Sequence, residues 1–512
     1  MISYNTKNSI IYKEFSSEKQ KEFFSFKKSS FIGHIDTFYY TVYADVSDWN
    51  ENENKKKLCS YLAEIKTAVS MSLEASPVFS DISDKLEMRP FLSFKSYCYH
   101  IGMRDNFDIF VCETVPNLKT PSVIVQLRSQ SLWLDGVKKS FEYSLNVVEK
   151  IFEKYDLKIL KVRENRIDYA FHNNYIQDFV NFFPQKNLGR MIVADFKRFG
   201  DDGAIRFGNE GSLYGDGKVE VDYFTLGRRK SNNVFFRCYN KCKEVVEMGY
   251  KQFFIPIWYD SGLISKYDMY VLERAFKYGT WTSIYKARCE FYYDYGSDLA
   301  VRQGIYDMLC CPDVKMVDYK KIAEQYTPEI TLITNVEFQT KRKFYDRLSV
   351  DKIKLTENED YKSYMYSFFA QVPSLVNFLT TDTLRFVNYK GKYKTVRRSD
   401  RPVADWWERL RRCKMLELDS NLHIDYYREY QFNLDSIRSK YMTLNKIARH
   451  SSYMLVNSGM DSDSTSLVND FNDYLASLND NDIERYYKVR AAAFKDKKRV
   501  LEKMEEDEQN DT

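Results

Sequence analysis

The sequence predicts an α+β fold: a central antiparallel sheet with inserted helices, followed by a mainly helical C-terminal region. Three observations carry this expectation. Short runs of alternating polar and apolar residues recur from residue 31 to about residue 240. Segments with helical spacing separate them. Beyond about residue 300 the strand signals fade and helical spacing takes over.

Residues 1–30 read as a polar, irregular N-terminal segment, and Phe31–Val46 as a strand, with the alternation HIDTFYYTVYADV. Lys55–Glu74 follows as a helix. Ser96–Met103 and Phe107–Glu113 are strands around an Arg104-Asp105-Asn106 turn, and Ser122–Ser129 is another. Gly136–Tyr155 is an amphipathic helix with Phe141, Leu145, Val148, Ile151 and Phe152 on one face. Strand returns at Ile159–Phe171 and helix at Ile176–Phe183. Strands follow near Met191–Phe196, Ala204–Leu213, Lys218–Leu226 and Val234–Tyr239, with Gly215-Asp216-Gly217 as a hairpin signal. Arg288–Tyr293 is a further strand. Asp318–Tyr326, Glu337–Leu348, Tyr361–Gln371, Val403–Met415, Phe432–Arg449 and Ser464–Met504 read as helices. The change of character sets domain bounds at 1–30, 31–300 and 301–512.

Composition narrows the function. The chain has 44% hydrophobic and 29% charged residues, as a folded protein does. No apolar run approaches the ~18 residues a membrane span needs. The N-terminus lacks the basic-then-apolar pattern of a signal peptide, so a cytoplasmic location is expected. Nine scattered cysteines form no CxxC pair, which argues for reduced thiols rather than a zinc cluster. Net charge is only +4, but the segment Lys390-Gly-Lys392-Tyr-Lys394-Thr-Val-Arg397-Arg398 is strongly basic and the last residues are acidic. Such runs are usually solvated faces. Basic side chains interleaved with aromatics also suit nucleic acid.

Three segments bear chemistry. In Asn233-Val-Phe-Phe-Arg237-Cys-Tyr239-Asn240-Lys241-Cys-Lys-Glu244, an apolar strand delivers a phenol beside a cation and a carboxylate. That combination can attack a phosphodiester. Standing alone, Tyr239 would be one more packed aromatic among 41 tyrosines. Arg166-Ile-Asp168-Tyr-Ala-Phe171 alternates, so Ile167, Tyr169 and Phe171 face one way and Arg166, Asp168 and Ala170 the other. A mid-strand carboxylate is costly unless paired or metal-bound. Arg288-Cys-Glu290 has the same character. Mg²⁺ or Mn²⁺ binds through one or two such carboxylates plus water and phosphate oxygens. The turn Gly227-Arg228-Arg229-Lys230-Ser231-Asn232 leads into the tyrosine strand and offers cations to a DNA backbone. Arg128, closing the Ser122–Ser129 strand, is a further DNA-contact candidate.

These segments resemble the trans-acting replication initiation factors of rolling-circle plasmids, mobile elements and some phages. The likeness lies in Arg166-Ile-Asp168-Tyr-Ala-Phe171, then Gly227-Arg-Arg229-Lys-Ser231, then Arg237-Cys-Tyr239-Asn240-Lys241-Cys-Lys-Glu244, and last Arg288-Cys-Glu290, over residues 31–300. The resemblance implies metal-dependent nicking of one DNA strand at a replication origin. Tyr239 would attack, leaving a 5′-phosphotyrosine and a 3′-hydroxyl primer. Arg237 and Lys241 would stabilise the charge that develops. Asp168, Glu290 and Glu244 would hold Mg²⁺ or Mn²⁺, with Glu273 a rival to Glu290. Arg228, Arg229, Lys230, Asn232 and Arg128 would contact DNA. Gln126 stands where the family can show an acid.

His172 falls on the same strand face as Asp168 and reads as a core residue more readily than as a ligand. Trp406-Trp407 with Arg409, Arg411 and Arg412 reads as the packed side of a helix. No GxxxxGK[ST] loop occurs, so unwinding calls for a host helicase. The implied partners are origin DNA and that helicase, with a homodimer as an option and no membrane. Two alternatives share the scaffold: a relaxase of an integrative or conjugative element with the same chemistry, and a non-catalytic DNA-binding regulator.

Overall fold

The computed structural model describes residues 6–415 and 424–426, apart from 45–48, 73–74, 90–95, 104, 116–119, 196–204, 209–222, 230–232, 249–250, 312, 347, 351–352 and 355–359. The first twelve strands are β1 Phe31–Ala44, β2 Ser76–Pro77, β3 Leu86–Met88, β4 Tyr97–Met103, β5 Phe107–Cys112, β6 Val123–Leu127, β7 Ile159–Asn173, β8 Ile192–Ala194, β9 Ile205–Gly208, β10 Tyr223–Leu226, β11 Val234–Asn240 and β12 Thr334–Lys341, and four short ones follow, Leu348–Val350, Ile353–Lys354, Leu384–Phe386 and Ile424–Tyr426. Of the first twelve, all but β8 join one 11-stranded sheet in the order β2-β3-β4-β5-β6-β1-β7-β12-β11-β10-β9. Its pairings are antiparallel. The α+β expectation holds.

Register decides which side chains share a face. Asp168 lies opposite Gln339, Ala170 opposite Glu337 and His172 opposite Asn335; Arg237 lies opposite Glu337 and Tyr239 opposite Asn335. Tyr239 and Asp168 are therefore on the same face, with β12 between their strands. On the other side of β7, where it pairs with β1, a register shift between Ile35 and Thr37 makes Asp36 the extra residue of a bulge.

The opposite face carries Ile167, Tyr169, Phe171, Val336, Phe338, Phe236 and Cys238, all buried in the larger core. The helices Val137–Lys154 and Tyr361–Phe378 cover it. The first buries the predicted Phe141, Leu145, Val148, Ile151 and Phe152. The second is capped by Asp360, whose carboxylate accepts from the backbone N–H of Lys362 and Ser363. A second core lies on the Tyr239 face. The helices Lys241–Met248, Phe254–Asp260, Lys266–Tyr278 and Ile284–Tyr295 pack there around Ala170 and Trp133. Among the described residues no helix is long and apolar enough to cross a membrane.

The structure corrects four expectations. The N-terminal segment is not irregular over its described residues: Ile10–Glu14 and Ser17–Phe24 are helices, and Ile11, Phe15, Phe23 and Phe24 are buried in the second core. Arg288–Tyr293 is helix rather than strand. The buried positions Ile284, Ala287, Arg288, Phe291 and Tyr292 follow helical spacing, which the unbroken aromatic run conceals. Glu337–Leu348 is not one helix: Thr334–Lys341 is strand, and among the described residues only Arg342–Tyr345 is helical. Val336, Phe338 and Thr340 alternate with Glu337 and Gln339, and both sets are buried because the strand is central. With β12 in the middle of the sheet, the fold does not break near residue 300; the compact unit spans Met1–Tyr426. Gly215-Asp216-Gly217 and the segments Phe432–Arg449 and Ser464–Met504 lie outside the described residues.

Trp406 and Trp407 are core residues on the helix Asp405–Arg411. The Trp407 ring lies 4.9 Å from Phe386, 6.2 Å from Phe338 and 6.3 Å from Phe236, and its indole N–H donates to the Thr380 carbonyl at 2.8 Å. Trp407→Ala is expected to cost about 3–5 kcal/mol in urea denaturation. A loss below about 1 kcal/mol would mean that this segment does not share the sheet's core.

Candidate active site

Tyr239 ends an apolar strand that turns into a helix without a loop. Asn240 makes this possible: its side-chain oxygen accepts from the Lys243 backbone N–H at 3.2 Å, and the Lys241 N–H donates to the Ile333 carbonyl at 2.8 Å. The strand end and first helical turn thereby bring Tyr239, Lys241 and Glu244 together.

The phenol oxygen is held from four sides. It accepts from Lys241 Nζ at 3.2 Å and from Asn335 Nδ2 at 3.0 Å. Its proton has two carboxylate acceptors, Glu337 Oε2 at 3.2 Å and Glu244 Oε2 at 3.3 Å, and serves one at a time. The Arg237 guanidinium lies 4.0 Å from the ring centroid and donates to Glu337 at 3.1 Å. Glu244 is clasped by Lys241 at 2.6 Å and by Lys251 at 2.7 Å.

Burial raises the Tyr239 pKa well above 10; Arg237 and Lys241 pull against it, while Glu244 and Glu337 add to it. The phenol is therefore protonated at neutral pH. Burial works against the charge on Lys241, yet Glu244 and the phenol hold its pKa well above the ordinary value. Burial would likewise raise the Glu244 pKa, but Lys241, Lys251 and Arg237 hold it far below the usual carboxylate range.

Asp168 is different. Burial raises its pKa most, Glu337 adds like-charge repulsion, and the two-pronged pair with Arg166 offsets only part of this. Asp168 and Glu337 thus lie near one another with one guanidinium apiece, from Arg166 and Arg237, whereas Glu244 is already supplied with two ammonium groups. That distinction bears on metal binding. Among the described residues no three His, Cys, Asp or Glu side chains cluster as a ready-made metal cage. Asp168 and Glu337 suit a hard divalent ion that keeps water and phosphate oxygens as its remaining ligands.

A cavity of about 520 Å³ opens on this face. Arg237, Glu244, Glu337 and Lys251 line it near the tyrosine, Asp168 and Arg229 farther along, and Asp108, Arg128 and His100 elsewhere on its wall. Tyr239 is only 6% exposed and does not itself line the cavity; Glu244, Glu337 and Arg237 form the wall in front of it. Asp36, in the bulge of β1, also lines the cavity and accepts from Ser129 Oγ at 2.6 Å and Trp133 Nε1 at 2.9 Å. Burial would raise its pKa, but Lys241, Lys251 and Ser129 lower it to about 2.

Of the residues singled out in the sequence, Tyr239, Arg237, Lys241 and Glu244 converge, and Asp168 and Gln126 line the cavity together with Arg237 and Glu244. Arg229 is on the wall and donates to Gln339 at 3.2 Å. Arg128 is on the wall in a two-pronged pair with Asp108. Arg228 is exposed on the turn after β10, and Lys230 and Asn232 lie outside the described residues.

Glu290 is the correction. It projects from the helix Ile284–Tyr295 to the Tyr278 hydroxyl, with Arg274 4.0 Å away, and is not on the cavity wall. Glu273, on the helix Lys266–Tyr278, is not on it either. The carboxylate that belongs with Asp168 is Glu337, which sequence reading missed together with Asn335 and Lys251. Its signal was present: Asn335-Val-Glu337-Phe-Gln339 places an acid between apolar strand residues just as Arg166-Ile-Asp168-Tyr does. His172 is a core residue, stacked 4.5 Å from Trp133 and accepting from Trp258 Nε1 at 3.1 Å.

No family model matches the chain, and no curated protein matches it. Among solved structures, the rolling circle replication initiator protein from Geobacillus stearothermophilus is similar at 10% identity and a TM-score of 0.35, over 74% of this chain and 95% of that one. A likeness this distant carries no residue role across.

Glu244 gives the site an acid limb. Its folded pKa lies below the ordinary 4.5, so its contribution to stability is complete above that pH and is lost as pH falls below it. Glu244→Gln is expected to cost about 3–5 kcal/mol near neutrality by stranding Lys241 and Lys251. The gap to wild type should narrow steadily once pH drops under 4.5. A gap independent of pH in chemical denaturation would contradict the pairing.

Proposed function

We propose that this protein is a DNA strand-nicking and strand-transfer enzyme of the replication-initiator type, with Tyr239 as nucleophile. The observation that supports this reading best is the contact set of the phenol. A lysine and an asparagine donate to its oxygen, a carboxylate on the neighbouring strand stands ready for its proton, and Asp168 lies on the same sheet face, sharing the cavity wall with that carboxylate.

In the reaction the phenol proton passes to Glu337, and Lys241 and Asn335 stabilise the developing phenolate. The phenolic oxygen attacks a backbone phosphorus. The P–O3′ bond breaks, the 5′ side stays on Tyr239 as a phosphotyrosine, and the departing 3′ oxygen takes a proton from water. Arg229, Arg237 and Lys251 on the cavity wall neutralise the phosphate. A Mg²⁺ or Mn²⁺ ion held by Asp168 and Glu337 would supply Lewis-acid polarisation of a phosphoryl oxygen. Because Tyr239 lies behind this wall, a bound phosphate must draw Arg237 and Glu337 aside before the phenol reaches phosphorus. Origin DNA and a separate helicase are the partners this reading requires.

The depth of Tyr239 also favours a second reading, in which the network is purely structural and the chain is a DNA-binding regulator. Incubation with single-stranded DNA and Mn²⁺, followed by denaturing electrophoresis, separates the two. Nicking predicts a covalent protein–DNA band lost completely in Tyr239→Phe and reduced at least ~100-fold in Glu337→Gln, with DNA binding retained. Asp168→Asn should lose cleavage at every Mn²⁺ concentration. No band from wild type on any origin-bearing strand, with binding that survives chelation, would establish the regulator.

A further inference from the structure

The basic segment noted in the sequence has no role in the chemistry above. Residues 390–401 contain six cations and a single acid, Asp400. They form a strap pinned at its foot. Val387 bridges Val403, the Asn388 N–H donates to the Pro402 carbonyl at 2.9 Å, and the Ala404 N–H to the Phe386 carbonyl at 2.9 Å. Phe386 packs on Phe236 and Phe224, on the opposite side of the sheet from Arg237 and the cavity.

The strap's arginines divide by job. Arg401 donates to three carbonyls, those of Arg190 at 2.8 Å, Val396 at 3.0 Å and Lys394 at 3.3 Å. Arg398 donates to the Gly189 carbonyl at 2.9 Å, and Arg385, from the strand before the strap, to the Ser399 carbonyl at 3.1 Å. These guanidiniums hold the backbone in two short turns, Gly391–Lys394 and Arg398–Asp400. Gly391, at φ +63°, supplies the left-handed residue that the first turn requires. Lys390, Lys392, Lys394 and Arg397 are exposed, and none has a carboxylate within ion-pair distance among the described residues. Holding four uncompensated cations on a stapled scaffold costs self-repulsion, which an anionic partner relieves. The staples limit the ordering cost that partner would otherwise meet.

We infer that this strap is a docking surface for the backbone of double-stranded DNA, separate from the nicking cavity and on the other face of the sheet. Phosphates recurring along a rigid duplex suit a convex row of cations. The half-buried Tyr389 and Tyr393 offer no open shelf for stacking unpaired bases. This inference rests on the replication-initiator reading only for the choice of DNA as the polyanion.

The test compares the full chain with a variant carrying Lys390→Gln, Lys392→Gln, Lys394→Gln and Arg397→Gln. Affinity for a random-sequence duplex is followed by fluorescence anisotropy across a salt series. Each phosphate contact adds about 0.9 to the salt slope of log K, so losing four should lower the variant's slope by about 3.6. Covalent adduct on a short single strand should be unchanged, and Tyr239→Phe should show the converse, losing adduct and keeping the slope. A variant with Arg at the three lysine positions should keep the wild-type slope. Lys392→Gln alone should lower it by about 0.9, which covers a fourfold variant that unfolds the strap. Unchanged duplex affinity and slope in the fourfold variant would overturn the inference. So would an unchanged slope with lost binding to phosphatidylserine vesicles, which would assign the strap to a membrane.

Discussion

Around one phenol, the sheet holds charges that would be expensive singly. Arg166, Arg237, Lys241 and Lys251 face Asp36, Asp168, Glu244 and Glu337, four cations against four carboxylates. An unpaired charge left behind in such a place costs about 3–5 kcal/mol, comparable to the whole stability of many domains. The network is therefore nearly all-or-none, and the register of three strands sets it. A slip of one residue in β12 would send Asn335, Glu337 and Gln339 into the apolar core and put Val336 and Phe338 against Tyr239.

The same constraint explains why the site is legible in part. Arg237, Tyr239, Lys241 and Glu244 lie within one short segment, so their convergence needs only a strand that becomes a helix. Asp168 was visible because an acid in mid-strand requires a reason. Glu337 obeyed the same rule and was missed, because β12 is buried on both faces, so neither of its residue sets marks a solvent side, and the strand runs directly into the helical turn Arg342–Tyr345. Glu290 was misplaced for the converse reason: Phe291, Tyr292 and Tyr293 look like a strand, while the helical spacing of Ala287, Arg288 and Phe291 decides the packing. Long-range pairing separates the two cases, since β12 is recruited between β7 and β11 from roughly a hundred residues away, where local periodicity has no say.

The sheet also divides labour between its faces. One face is largely apolar, clamped by the helices Val137–Lys154 and Tyr361–Phe378, and it fixes the strands. The other balances its polarity by pairing, and opens into a cavity whose wall carries Asp168 and Glu337, each with one guanidinium partner. Under the proposed reaction a backbone phosphate would bring negative charge to that wall, and the cations there and any divalent ion would have to answer it together. Arg237 is central to this exchange, because it stacks on the phenol and pairs with the carboxylate that would take the phenol's proton.

Mass mapping of the nucleoprotein adduct tests the central claim most directly. Protein is reacted with single-stranded origin DNA, digested with nuclease and protease, and the peptide retaining a nucleotide is sequenced by tandem mass spectrometry. The account predicts one modified peptide, from the Val234–Asn240 strand, with the phosphoryl mass on Tyr239. A nucleotide on any other of the 41 tyrosines would show that the network around Tyr239 is scaffolding and that the nucleophile lies elsewhere.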